Sequence, residues 1–141
     1  MAENSKIVEM ATKFVDRSPL NRWLGMSVLN ADDDGIVLNI KWREDFISSP
    51  ELRSTHGGIL ATLIDAAGDY AVAIKVGHPV PTVDMRVDYH RIAHPGDLRA
   101  EGRIINLGKS MATAEARVLD TSGRLIASGR ALYLIRSPNH Q

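Results

Sequence analysis

The sequence has no cysteine among its 141 residues, which removes disulfides, zinc thiolate sites and a thiol nucleophile together. It also has no surplus of either charge, since Lys plus Arg and Asp plus Glu both number 17. Bulk charge therefore gives no argument for a nucleic-acid partner, and none for an acidic, solvating disordered chain. No stretch approaches the ~18 apolar residues of a membrane span. Met1–Lys13 lacks the basic and then apolar order of a secretory signal. These absences lead to the expectation of a cytoplasmic protein with no nucleic-acid partner, no membrane partner and no metal site. The length fits one domain with a real core and is too short for two.

What is present is organised around Ser54–Lys75, which reads as one central helix opened by Gly57 and Gly58. Between Ser54 and Ile74 the only ionisable groups are His56, Asp65, Asp69 and Tyr70. A surface helix of this length would carry Lys, Arg and Glu on an outer face, so this one is expected to be buried nearly all round. Carboxylates inside a buried helix are costly unless paired or used, and uncompensated ones tend to mark working sites. Asp65 and Asp69 are accordingly the first candidates.

The rest of the chain reads as an enclosure. Ile7, Val8, Met10, Ala11, Phe14 and Val15 recur at helical spacing, predicting an N-terminal packing helix within 1–19. Leu20–Leu29 is expected to run into a first strand. Ala31–Gly35 is expected to be a turn with glycine at positive φ, because the acidic triplet Asp32–Asp34 lacks the later ligands of a calcium loop. Ile36, Leu38, Ile40 and Trp42 alternate as a second strand ending near Arg43, and Glu44–Arg53 is irregular. Gly77 followed by Pro79 and Pro81 stops the central helix, after which the period becomes 2. Val83–Tyr89, Leu98–Leu107, Ser110–Leu119 and Arg124–Ile135 read as four consecutive antiparallel strands. Ala112, Ala114, Ala116, Ala127, Gly129 and Ala131 leave one face of the last two small enough for a helix backbone to come close. Residues 137–141 are a short polar tail. The expected fold is α+β: a curved antiparallel sheet of about six strands around one long helix. A sheet covers only one side of such a helix, and the simplest closure of the other is a second copy of the chain.

On a helical wheel Gly58, Ala61, Thr62, Asp65, Gly68, Asp69 and Val72 share one face, while Ile59, Leu60, Leu63, Ala67, Tyr70, Ala71 and Ile74 lie opposite. The greasy face is expected to meet the sheet. The small, polar face would admit a ligand or a partner backbone to the two carboxylates. Gly57 and Gly58 fall in the first turn, where N–H groups have no intrahelical acceptor, so they form a potential oxyanion hole. Equally, they could merely permit a tight passage from loop to helix. His56 on its own is weak evidence for a base, and no nucleophile-elbow motif supports a Ser/His/Asp triad.

At His56-Gly57-Gly58 followed by Leu63-Ile64-Asp65 the sequence resembles the hotdog-fold acyl-CoA thioesterases, in particular their phenylacetate-degradation branch. The likeness continues in order through Thr82–Tyr89, Pro95-Gly96-Asp97, Leu107–Ser110 and Gly123–Arg130, covering about residues 20 to 136. The resemblance implies a single hotdog thioesterase domain over 1–141, working as a homodimer that pairs again into a homotetramer, with sites at the subunit interface. It implies Asp65 as catalytic carboxylate, general base or nucleophile toward the thioester. Gly57 N–H would polarise the carbonyl, helped by His56 and Gly58, from the subunit opposite. Thr82 matches a hydroxyl position that orients water or carboxylate. Ser49-Pro50 stands where relatives often carry Asn, and Asp69 departs from the small or apolar residue usual there, which makes it a candidate acyl-pocket contact. Arg91, Lys109 and Arg53, with Ser110, are candidates for the coenzyme A phosphates.

The implied activity is hydrolysis of a small to medium acyl-CoA, aromatic acyl groups included, with coenzyme A as part of the substrate and no separate cofactor. A non-catalytic acyl-CoA-binding sensor on the same fold is the alternative; the stretch before residue 20 carries no helix-turn-helix pattern or basic extension to favour it. A hydratase is a third reading, against which the spacing of His56 and Asp65 speaks.

Overall fold

Helices and strands change over where the hydrophobic period changes. The structure is a computed structural model and describes residues 2–136, so the tail assigned to 137–141 lies outside the described residues. The N-terminal amphipathic stretch forms α1 (Ala2–Asp16), burying Ala11 and Val15. The next segment does run into a first strand, β1 (Ser27–Ala31), but only after a short helix that was not expected, α2 (Pro19–Leu24). Ser18 caps it, Pro19 fills its first turn where an N–H would be unpaired in any case, and Gly25 ends it in the left-handed region at φ 66°.

The acidic triplet is a turn: Asp32 Oδ1 accepts the N–H groups of Asp34 and Gly35, both at 2.9 Å. Gly35 does not have positive φ as expected. It must be small because a Cβ there would lie 2.5 Å from the Gly102 carbonyl oxygen. Strand β2 (Gly35–Ile40) stops short of Arg43, since the Trp42 N–H leaves the ladder and donates to the Asp97 carboxylate at 2.9 Å. The segment read as irregular contains a 3₁₀ turn (Glu44–Phe46) and a small hairpin of β3 (Ile47–Ser49) with β4 (Ser54–Thr55). Then come α3 (Gly57–Val76), β5 (Thr82–Tyr89), β6 (Leu98–Leu107), β7 (Met111–Leu119) and β8 (Leu125–Leu134).

The six long strands form one antiparallel sheet in the order β1-β2-β6-β7-β8-β5. Consecutive pairing, as expected for the last four strands, holds only for β6, β7 and β8, because residues 90–97 carry the chain from the β5 edge back to β6 beside β2. That crossing is tied down by the Thr55 N–H donating to Ala93 O at 2.9 Å. Strand β5 therefore lies at an edge with one neighbour, β8, and is exposed along most of its length; Val83 and Tyr89 are about half exposed (51% and 55%). The opposite edge, β1, is packed by α1.

Helix α3 lies in the hollow of the sheet on the small residues picked out in β7 and β8. Ala112, Ala114, Ala116, Ala127 and Ala131 are all buried. A Cβ at Gly129 would come 2.5 Å from Ile64 Cγ2, and one at Gly102 would sit 2.0 Å from the Ala67 carbonyl oxygen, inside any real contact distance. Three residues of α3 lie on other faces than expected. Gly68 faces the sheet, a Cβ there meeting the Tyr133 hydroxyl at 2.5 Å, and Val72 packs with Ala112, Ala114, Ala131 and Tyr133. Tyr70 instead turns toward α2, where its hydroxyl accepts from Asn21 Nδ2 at 2.7 Å. A curved sheet embraces a wider arc of the helix than a flat one, so it takes in residues assigned to the open face.

Candidate active site

The first turn of α3 is held by its own cap and by β5. His56 is the N-cap, and its Nδ1 accepts the Gly58 N–H at 2.8 Å. The imidazole proton consequently sits on Nε2, and the Gly58 N–H is already spent inside the cap. Gly57 differs: its carbonyl accepts from the Tyr89 hydroxyl at 2.9 Å, while its N–H has no acceptor among the described residues. Of the two glycine donors expected from the sequence, the geometry leaves Gly57 as the free one, at the positive end of a 20-residue helix.

Two turns on, Asp65 Oδ1 accepts from the Thr82 hydroxyl at 2.8 Å. The Tyr133 hydroxyl lies 3.1 Å from the Asp65 carbonyl oxygen and 3.4 Å from Oδ1. Thr82 and Tyr133 are directly opposed on β5 and β8, and a register shift after Thr82 bends the strand end over the helix. Sequence reasoning singled out Thr82 and missed Tyr133. The only local signal was its inward phase in β8, because its partner stands 68 positions away. Tyr133 is fully buried. Burial, and then the charges of Asp65 and Asp69, push its hydroxyl well above the ordinary tyrosine value, so it remains a proton donor to the carboxylate.

Asp69 lies one turn beyond Asp65. Burial, followed by the neighbouring Asp65 charge, raises its pKa to about 7, and it has no hydrogen-bond partner among the described residues. It lines a cavity of about 340 Å³ together with Phe14 of α1, Arg17 and Ser18 just after it, Tyr70 and Ala73 of α3, and Pro79 and Val80.

The remaining candidates are dispersed. Ser49 Oγ is turned into its own loop, donating to Glu51 Oε2 at 3.2 Å and accepting the Leu52 N–H at 3.3 Å. Arg53 is paired with Glu44 at 2.6 Å. Arg91 donates to Leu125 O at the start of β8, whereas Lys109 and Ser110 form the β6–β7 turn beside its end, where Ser110 Oγ accepts from Arg136. The ten residues of β8 separate the two groups by about 30 Å, so within one chain they do not form a single phosphate site.

The arrangement offers two chemical resources: an unpaired N–H at a helix N-terminus and a carboxylate fixed by two hydroxyls. On one helix they are eight residues, or about 12 Å, apart along the axis.

The profile of the thioesterase superfamily matches residues 53–127, a span that contains Gly57, Asp65 and Thr82 but not Tyr133. A crystal structure of a thioesterase-superfamily protein is 75% identical in sequence and superposes with a TM-score of 0.91, covering 93% of this chain and 99% of that one. Acyl-coenzyme A thioesterase 13 of Mus musculus is 30% identical over 108 residues, covering 74% of this chain and 76% of its own length. The PaaI protein of the E. coli phenylacetic acid degradation operon shares the fold, with a TM-score of 0.86 at 19% identity over 96% of each chain.

Proposed function

This chain belongs to the thioesterase superfamily, and from that premise we propose that it hydrolyses the thioester of a small to medium acyl-CoA, aliphatic or aromatic, at sites shared by two chains. The Gly57 N–H donates to the thioester carbonyl oxygen and stabilises the charge that grows there, a contribution of about 3 kcal/mol for such a donor. The helix dipole acts in the same direction. Asp65 supplies the second half, as base on the attacking water or as nucleophile on the carbonyl carbon. The hydroxyls of Thr82 and Tyr133 engage Oδ1 and leave Oδ2 for the reaction. His56 holds the first turn in shape and presents its Nε2–H outward.

The observation that carries the reading is the placement of both anchors on β5. Tyr89, at its end, holds Gly57, and Thr82, at its start, holds Asp65. A carbonyl hydrogen-bonded to Gly57 is out of reach of Asp65 on the same helix, about 12 Å away. If two bare β5 edges pair antiparallel about a two-fold axis, the Tyr89 end of each meets the Thr82 end of the other, and two complete sites form. Such pairing would also cover an edge that is otherwise open to aggregation.

The test is steady-state hydrolysis of a panel of aliphatic and aryl acyl-CoAs by the wild type and by Asp65→Asn. Turnover by the wild type and a loss of about 10²- to 10⁴-fold in the variant are expected. Binding without turnover would favour the sensor reading instead.

A further inference from the structure

We propose that the charged trio Asp84, Arg86 and Asp88 on the outer face of β5 sets the register in which two copies of this chain pair, with Met85 opposite the partner's Met85 and each Asp84 facing an Arg86 across the joint. This pairing rests on the two-chain thioesterase reading and fixes its contact. In the regular part of β5 the three charged side chains share the exposed outer face, while Met85 and Val87 turn toward the core opposite Ala131 and Gly129. Hydrogen bonds locate the free edge. His90 donates its N–H to Ile126 O at the start of β8, so in an antiparallel ladder the even-numbered residues before it bond to β8, and the N–H groups of Met85 and Val87 point away from it. The Met85 N–H is taken by the Asp84 carboxylate at 2.8 Å. That carboxylate reaches over the bare edge and guards a donor that a second strand would use.

Symmetry and charge together select the register. Residues opposed across two strands lie on the same face, and a two-fold axis maps β5 onto its own copy, so the axis must pass between two copies of one residue. The middle of Thr82–Tyr89 falls between Met85 and Arg86, and these two choices pair most of the strand. Arg86 already stands directly opposite Arg130 of β8, and its ion-pair partner is Asp88 on its own strand at 3.3 Å. An axis at Arg86 would line up Arg130 and Arg86 of both chains and set Asp84 against the partner's Asp88, and like charges directly opposed destabilise a sheet. An axis at Met85 instead sets Asp84 against Arg86 twice and gives each Arg86 an acid on the side away from Arg130. An axis at Val87 also opposes unlike charges, Arg86 to the partner's Asp88, but it carries Thr82 past the end of the partner's strand and leaves Tyr89 opposite Met85, which pulls the two half-sites apart. With the axis at Met85, Thr82 of one chain comes beside the partner's Asp88 and Tyr89, so the same charges that choose the register bring Gly57 of one chain toward Asp65 of the other.

The experiment measures dimer dissociation by sedimentation equilibrium at low ionic strength for wild type, Asp84→Arg and Arg86→Asp, after circular dichroism has established that each is folded. Each variant sets like charges against each other twice and should dissociate at least about tenfold more readily than wild type. Mixed in equal amounts the two variants regain both attractive pairs, so native mass spectrometry should find mostly heterodimer, where random pairing gives about half. Both effects should shrink in high salt. Tighter association of Asp84→Arg, which an axis at Arg86 requires because the new side chain would face Asp88, overturns the register. So does unchanged association of either variant, or random pairing in the mixture. Recovery on mixing also separates the register from a folding defect, which mixing does not repair. If a charge reversal prevents folding, Asp84→Asn and Arg86→Gln take its place: both should weaken the dimer by a smaller factor, and tighter or unchanged association overturns the register. Hydrolysis by the wild type and Asp65→Asn is read separately. Turnover without this pairing leaves the thioesterase chemistry standing, and this pairing without turnover leaves the register standing.

Discussion

At one end of β5 the Tyr89 hydroxyl holds a backbone carbonyl, that of Gly57; at the other, the Thr82 hydroxyl holds a side-chain carboxylate, that of Asp65. The first anchor is half exposed and acts on a helix terminus whose useful group is a main-chain N–H. The second, itself exposed, is joined by the fully buried Tyr133 and acts on a half-buried side-chain charge. A backbone donor is positioned by the helix itself and tolerates a loose support. A carboxylate on rotatable bonds has to be oriented by its neighbours. The two ends should therefore respond very differently to the loss of comparable hydroxyl groups.

The largest effect should come from separating the halves. Gly57→Pro deletes the N–H at a first-turn position that accepts proline, and His56, at φ −60° and ψ 133°, already has the extended backbone required before proline. Turnover should fall by about 10²- to 10³-fold, while Gly57→Ala, which keeps the N–H, should stay much closer to wild type. Mixing Gly57→Pro chains with Asp65→Asn chains under subunit exchange should restore up to about a quarter of wild-type activity, since half the dimers are mixed and each has one intact site. No recovery with demonstrated exchange would break the two-chain site.

Next in size, Tyr133→Phe should lower kcat by about tenfold with little change in KM, since it loosens the carboxylate without touching substrate. It should also cost about 1 kcal/mol of stability, read from chemical denaturation. Asp69→Asn should change the pH dependence of stability. Between pH ~4 and ~7 the folded protein retains a proton on Asp69 that the unfolded chain releases, so wild-type stability falls as pH rises through that window. Discounting for partial solvent screening, the loss is about 1–2 kcal/mol. The variant should lack it, and its Tm should gain on that of wild type from pH 5 to pH 8. The smallest effect is expected for Tyr89→Phe, about two- to threefold in kcat, because the helix cap holds the Gly57 N–H without it. A loss as large as that of Tyr133→Phe would erase the contrast between the two ends.

The same contrast governs what could be read in advance. The helix, its glycine opening, the four later strands and the small residues beneath α3 were legible because each is a local pattern of period, turn chemistry or residue size. Asp65 and Asp69 stood out because charge is scarce in a buried helix. Tyr133 did not stand out, since a tyrosine in a strand looks like core until its partner on α3 is in place. By helical position alone Gly58 and Gly57 were equivalent, the family resemblance favoured Gly57, and the ring of His56 supplies the physical difference. The helix at Pro19–Leu24 was not expected because six residues are too few to show a period, and it is fixed by its caps, Ser18 and Gly25.

By itself the sequence determined the elements, the buried character of α3 and the identity of its two carboxylates, because these follow from residue chemistry within a few turns of chain. Tertiary structure alone decided that β5 crosses to the far edge beside β8, that Thr82 and Tyr133 converge on Asp65, and that Asp69 opens onto a cavity. Those facts depend on contacts between segments far apart in the chain, where hydrophobic period carries no information about which strand lies beside which.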